Sequence, residues 1–439
     1  MRTIAVIASL ALSTVLRAQA ACSSLQWAPP LVINESANIK ERASTPRIAV
    51  GTRDGFIIAN EQQLNDAGPP TTFSLAMWRF ASHGPSVASP KFVQGTSPNG
   101  NSFHWPEPIV TADGALHVVW GDDPVVEPGI DAHQLQLNVW RGNFTGLWHI
   151  SYQHGKWSKP EKIAQADELV WNSTSHAIPV TTADGGFVVA APAVARSSNA
   201  YSGRLLVARW RHEQWAVSMV PIHQVMPPAY VTIASQSKTL ILGYIAPAAG
   251  GAADENSVFV VRSFDNGVTW GDPILVRRSG ANPAYMLQLL ALKDGSLGLV
   301  WNQAENHSID ASILSYVRST DDGLTWSKPI QLAEPQQGDM RATIDRCGRI
   351  IATFERGTLP HMVMQTAYVD GSRWSPAMTL SPNRTSVSPA ITEDATGCVH
   401  AVWNSIDPDS LRASSVGLTS PRITYSFACP SPSKSRAVP

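Results

Sequence analysis

Charge is scarce in this chain of 439 residues: 33 Lys and Arg stand against 34 Asp and Glu, a formal net charge of -1, and charged residues make up only 15% of the total. No basic stripe is present, which argues against nucleic acid as a partner. No basic amphipathic pattern points to a membrane surface. Beyond the N-terminus no apolar run approaches the ~20 residues that a membrane span requires. No His-x-x-x-His or Cys-x-x-Cys spacing occurs, and the 12 His are dispersed. Neither a metal nor another cofactor is therefore expected. Cysteine is limited to four residues. What is abundant is Trp, at 15, together with 32 Pro and 30 Gly scattered along the whole chain. That is the composition of many strands joined by many turns.

The first 20 residues read as a signal peptide: Arg2, an apolar run from Ile4 to Leu16, and Ala18-Gln19-Ala20 as a small-x-small cleavage site. Gln19 argues against lipid attachment at Cys22. The expectation is a secreted, monomeric protein with one domain over residues 21–430 and a flexible tail over 431–439. Four cysteines in such a chain suggest two disulfides, with three possible connectivities.

Two octapeptides set the architecture, Ser263-Phe-Asp-Asn-Gly-Val-Thr-Trp270 and Ser319-Thr-Asp-Asp-Gly-Leu-Thr-Trp326. Both read Ser-x-Asp-x-Gly-x-Thr-Trp, the Asp-box. The glycine supplies a turn position suited to positive φ, and the Asp can accept amide hydrogen bonds from its own turn. The Trp is expected to plug the gap between neighbouring sheets. Degenerate copies end at Trp157, Trp215 and Trp374, so the five Trp are spaced 58, 55, 56 and 48 residues apart. One supersecondary unit per ~50 residues is the signature of propeller blades.

Ahead of each box lies an apolar hairpin, often turned by Asp-Gly. Seven are countable: Arg47 to Ala59, Pro108 to Trp120, Pro179 to Ala191, Val231 to Tyr244, Leu287 to Trp301, Ala342 to Glu355 and Pro389 to Trp403. The expected fold is all-β, a single seven-bladed β-propeller of four-stranded antiparallel blades, with six blades as the alternative. The last blade lacks an outer strand, which the N-terminal Leu25 to Ile33 is expected to supply. That closure suggests Cys22–Cys429 and Cys347–Cys398 as the disulfides, each worth roughly 2–4 kcal/mol.

Asp-boxes on such a propeller resemble the sialidase (neuraminidase) superfamily of BNR repeats. The motif speaks for architecture and is shared by catalytic and non-catalytic proteins. The resemblance implies three arginines clamping a substrate carboxylate, a Tyr nucleophile activated by a Glu, and an Asp as general acid. Thr45-Pro-Arg47-Ile-Ala is similar to the family's Arg-Ile-Pro strand start. Asp339-Met-Arg341-Ala-Thr opens the sixth inner strand in the same way, and its partner ends Thr353-Phe-Glu355-Arg356. Substrate-binding residues are thus expected at Arg47, Arg341 and Arg356, with Trp105, Asn302 and Asn404 beside them. Catalytic roles fall to Asp122, Glu355, Tyr285 and Glu61, with Tyr230 a second tyrosine in the same Pro-Ala-Tyr context. Trp120, Trp301 and Trp403 end three equivalent strands and read as packing residues.

The function that follows is a secreted glycoside hydrolase of the exo-sialidase type, with carbohydrate as the partner. Two alternatives stand beside it: a non-catalytic propeller binding glycan or protein, and a polysaccharide lyase on uronic-acid polymers. A lyase needs a base beside an arginine that neutralises the carboxylate; His104 with Arg47 is the pair available.

Overall fold

The computed structural model describes residues 25–34, 41–65, 68–81, 91–93, 103–122, 147–164, 177–197, 200–224, 230–248, 256–280, 282–305, 308–333, 338–382, 384–407 and 422–430. The signal-peptide and tail expectations lie outside them. The described residues form seven antiparallel sheets; in six of them the strands follow chain order from inside to outside, and in the seventh the N-terminal strands lie outermost. Blade 1 runs through Glu41–Val50, Asp54–Asn65, Gly68–Ala81 and Lys91–Val93. Blade 2 comprises Phe103–Val110, Leu116–Asp122, Leu147–Gln153 and an outer edge of Lys156–Trp157 and Glu161–Ala164. Blade 3 is Ile178–Thr181, Phe187–Ser197, Ala200–Arg211 and Gln214–Gln224, and blade 4 is Tyr230–Gln236, Thr239–Pro247, Asn256–Ser263 and Ile274–Arg277. Blade 5 contains Ala284–Ala291, Leu297–Glu305, Ser308–Ser319 and Ile330–Gln331. Blade 6 contains Met340–Ile344, Ile350–Arg356, Val363–Asp370 and an edge of Arg373–Trp374 and Met378–Thr379. Blade 7 is Thr385–Glu393, Val399–Ile406 and Arg422–Pro430, completed by Leu25–Trp27 and Leu31–Val32.

All seven expected hairpins are the first two strands of a blade, so seven blades stand and six do not. The N-terminal strand seals the ring as expected, pairing Trp27 with Ala428 and Leu31 with Tyr425. The first strands of successive blades pack on one another all the way round, which makes them the innermost layer.

The core is divided among seven clusters, one at each seam between blades. The box tryptophans sit at these seams: Trp270 between blades 3 and 4, and Trp326 between blades 4 and 5. In both complete boxes the glycine has positive φ, 82° at Gly267 and 83° at Gly323. Asp265 Oδ1 accepts from the Thr269 amide at 2.8 Å and Oδ2 from the Thr269 hydroxyl at 2.6 Å; Asp321 does the same with Thr325. These bonds stabilise the charged form and bring both carboxyls down to about 2. Both boxes are turn clasps.

The cysteine pairing differs from expectation. Cys398 is bonded to Cys429. Val399 pairs with Ala428 across the second and third strands of blade 7, so the two cysteines face each other one residue further along. Cys347 is also disulfide-bonded; its expected partner Cys398 is taken, and Cys22 lies outside the described residues. The expected Cys347–Cys398 pair assumes that equivalent hairpins of adjacent blades meet, and Cys22–Cys429 that the ring closure joins those two; register within one sheet decides for Cys398–Cys429 instead.

Candidate functional site

Each innermost strand places one residue at the same register, three positions before the end of the strand, or four in blade 4. These residues are Arg47, Glu107, Ile178, Thr232, Gln288, Arg341 and Ala390, paired with Ile58, Val119, Ala190, Gly243, Val300, Thr353 and Val402. Two of the uncharged ones tie neighbouring blades: Thr232 Oγ1 accepts from the Leu289 amide at 2.9 Å and Gln288 Oε1 from the Ala342 amide at 2.7 Å.

The three charged ones converge. Arg47 Nε and an Arg341 terminal nitrogen each donate to the same oxygen, Glu107 Oε1, at 2.9 Å. Blades 6 and 2 are not neighbours, so Arg341 reaches Glu107 past blades 7 and 1. Ala390, the equivalent residue of blade 7, is small. Arg47 is 2% exposed, and its Nη1 donates to the Pro46 carbonyl at 2.9 Å. Burial disfavours the charge on Arg341, which Glu107 and Asp339 restore and Arg47 opposes. Two guanidinium groups around one carboxylate oxygen concentrate positive charge in a low-dielectric place, where each interaction counts for more than at the surface.

Glu355 lies one strand away and is clasped at both oxygens. Oε2 accepts from the Asp339 amide at 3.0 Å and Oε1 from the Ser388 amide of blade 7 at 2.6 Å. Burial, reinforced by Asp339, pushes its carboxyl up to about 8. Tyr230 is pushed up to about 12 by burial, with Asp339 and Tyr285 adding to the rise. Tyr230, Tyr285, Asp339 and Arg341, from blades 4, 5 and 6, therefore share one electrostatic neighbourhood with Arg47 and Glu107.

Arg356 does not join them. It follows Glu355 directly, so its side chain leaves the opposite face of the sheet; its terminal nitrogen lies 3.4 Å from Gln365 Oε1 on the next strand. Asn302 is buried and donates from Nδ2 to the Gly338 carbonyl at 2.9 Å, tying blade 5 to blade 6. Asn404 is buried at the equivalent position of blade 7, paired with Val387 and Ile423. Trp120, Trp301 and Trp403 are fully buried, as packing residues are. The backbones of Trp105 and Asp122 lie on the first two strands of blade 2, where Phe103 pairs with Asp122. Glu61 pairs with Ala43 and Ser74 in blade 1. The side chains of Glu61, Trp105 and Asp122 lie outside the described part, as does that of His104.

Sequence reasoning missed Glu107. Its signal was available: it stands in the second blade at the register that Arg47 holds in the first.

Seven four-stranded blades, two complete Asp-boxes and a charged inner ring define a propeller of the BNR kind. The BNR repeat-like domain matches residues 93–400, and the chain belongs to that family. No curated protein matches it. Among solved structures, a protein of unknown function from Dyadobacter fermentans aligns with a TM-score of 0.55 and 12% identity, over 93% of this chain and 99% of that one. A polysaccharide lyase, the PL25 ulvan lyase, aligns with a TM-score of 0.58 and 9% identity, over 91% and 95%. The leech intramolecular trans-sialidase aligns with a TM-score of 0.46 and 11% identity, over 91% of this chain and 70% of that one. At these identities the first two likenesses establish the fold alone.

Proposed function

We propose that the protein is an extracellular propeller that recognises an acidic sugar at the inner end of the ring where the first strands begin. The observation that carries this is the meeting of Arg47 and Arg341 on one Glu107 oxygen. Two guanidinium groups held rigidly by buried strands form a preorganised anion site, and arginine pairs carboxylates with good geometry. Disulfide bonding fits an oxidising compartment, and no described helix is long and apolar enough to cross a membrane. Trp105 and Asp122 come from strand ends of blade 2 and Glu61 from within the second strand of blade 1, and in this reading they border the bound sugar.

Two observations weigh on chemistry. The upward displacement of Tyr230 works against a tyrosine nucleophile, which favours glycan binding without turnover. Glu355, held protonated up to about pH 8, is suited to donate a proton to a leaving group, which favours hydrolysis of the sialidase type.

A glycan array and a fluorogenic sialoside assay, each run with wild type and Arg341→Ala, test the reading. Selective binding of sialylated or uronate-bearing glycans, weakened about tenfold or more in the variant, is expected from loss of a charge-assisted bond. Turnover of the sialoside that vanishes in the variant assigns hydrolysis. Binding confined to neutral glycans and indifferent to the substitution sinks the proposal.

A further inference from the structure

The hairpin turns and box turns gather at the other end of the ring from the arginine pair. There, between blades 2 and 3, lies a cavity of about 560 Å³. Its wall includes His117, His149, Glu161 and Trp210, with Asp113 and Asp184 on hairpin turns. His117 and His149 come from the second and third strands of blade 2, and their rings are stacked, with centroids 5.1 Å apart.

A hydrogen-bonded chain runs through them. His149 Nδ1 lies 2.7 Å from Glu161 Oε1, which also accepts from Trp215 Nε1 at 2.9 Å. His149 Nε2 lies 2.9 Å from His117 Nδ1. A carboxylate only accepts, so the His149 proton sits on Nδ1 and its Nε2 carries a lone pair. His117 must then donate from Nδ1, and its own Nε2 is left as a bare acceptor. Burial, with His149 alongside, pushes His117 down to about 4, and burial also lowers His149, so both rings are neutral at pH 7. No described residue takes up His117 Nε2. His117 is 6% exposed and belongs to the cavity wall. Phe187 and Trp210 hold it in place, at 4.7 and 6.0 Å between centroids.

The two carboxylates on the hairpin turns are already engaged. Asp113 accepts from the Thr111 hydroxyl, the Ala115 amide and Gln153 Nε2. Asp184 accepts from the Thr182 hydroxyl and lies 3.5 Å from Arg211 Nε. Among the described residues no three His, Cys, Asp or Glu side chains are grouped to hold a metal ion. Four carboxylates, Asp113, Glu161, Asp184 and Glu213, face two cations, Lys159 and Arg211, so an anion would meet a lone pair and a net negative wall. What the cavity offers is a neutral acceptor at its wall beside an indole, the pairing that suits a hydroxyl group on a ring with an apolar C–H face.

We propose that this cavity is a second carbohydrate site, which takes a neutral sugar unit with one hydroxyl donating to His117 Nε2 and its C–H face against Trp210. It stands apart from the acidic-sugar site and does not depend on it.

The experiment is NMR of protein carrying 15N-labelled histidine and tryptophan, titrated at pH 7 with methyl glycosides of glucose, galactose and rhamnose, and separately with methyl glucuronide and with zinc ion. The free protein is expected to show His117 protonated at Nδ1. At least one glycoside is expected to produce saturable shifts at His117 and Trp210, with affinity lowered at least tenfold in His117→Phe. A His117 proton found on Nε2 in the free protein overturns the proposal whatever the variant does. So does silence with all three glycosides, a response only to methyl glucuronide or to zinc ion, or binding unchanged by the substitution.

Discussion

Blades 2 and 7 carry the same polar device and finish it differently. His117 and His400 are each the second residue of a second strand, and each touches the residue that faces a valine of that strand. In blade 2 that residue is His149, opposite Val119; in blade 7 it is Tyr425, opposite Val402. In blade 7 the imidazole is used at both ends: His400 Nδ1 accepts from the Tyr425 hydroxyl at 2.7 Å, and Nε2 donates to Asp394 Oδ2 at 3.1 Å. Blade 2 has Thr111 where blade 7 has Asp394. Its carboxylate, Glu161, arrives from the outer edge instead, one imidazole further away. The proton order reverses, and the nitrogen that blade 7 consumes is left facing a cavity. The location of one carboxylate decides whether a buried histidine is structural or open to a ligand.

The largest effect that tests this contrast is expected from paired neutral substitutions. Asp394 is buried; its Oδ1 accepts from the Thr396 amide and hydroxyl and from the Cys398 amide, while Oδ2 holds His400. In Asp394→Asn one oxygen becomes a donor facing donors, and about 2–3 kcal/mol of stability is expected to be lost. Glu161 is exposed along much of its side chain, and an amide oxygen in Glu161→Gln can still accept from His149. That change is expected to cost less than about 1 kcal/mol. Urea unfolding measures both, and equal losses would remove the distinction between a closed and an open chain.

Acid provides the next measure. His117 is displaced downward, to about 4, by burial and by His149. As pH falls below about 6.5 the unfolded chain takes up this proton before the native state does. Native stability is therefore full above that pH and declines towards pH 4, by at most about 3 kcal/mol from this residue. Comparing unfolding of wild type and His117→Phe across that window isolates the contribution. The variant is expected to have the shallower slope, and identical slopes would place His117 in a solvated environment.

The same distinction explains what could be read in the sequence. Hairpins and boxes are local, so Asp-Gly turns, apolar strands and repeated Trp located all seven blades and the strand that closes them. Contacts fixed by register between distant segments were not legible. Cys398 faces Cys429 because Val399 pairs with Ala428. His117 meets His149 across 32 residues of sequence. Glu107 meets Arg341 across 234 residues, which only a closed ring brings together. Arg356 ends the strand that pairs with the Arg341 strand, yet it directly follows Glu355, and adjacent strand residues point to opposite faces. A reading by strand parity would have separated them.

The smallest effect is the most direct exchange between the two blades. In blade 2 the Thr111 hydroxyl donates to Asp113; in blade 7 the Thr396 hydroxyl donates to Asp394, so the same pair occupies the two hairpin positions in the opposite order. The double substitution Thr111→Asp, Asp113→Thr copies the blade 7 order into blade 2. It keeps the hydroxyl–carboxylate bond and the net charge, so a change in stability of less than about 1 kcal/mol is expected. It also brings a carboxylate to His117 Nε2. An opposite charge at that distance favours the imidazolium, so the His117 titration is expected to rise by about one unit or more. The rise, followed by histidine 15N shifts against pH, would come with a proton on Nε2 and with loss of any neutral glycoside response. A titration that stays where it was would show that the hairpin does not govern the histidine, and that the difference between the blades resides in Glu161 and Trp215 on the outer edge.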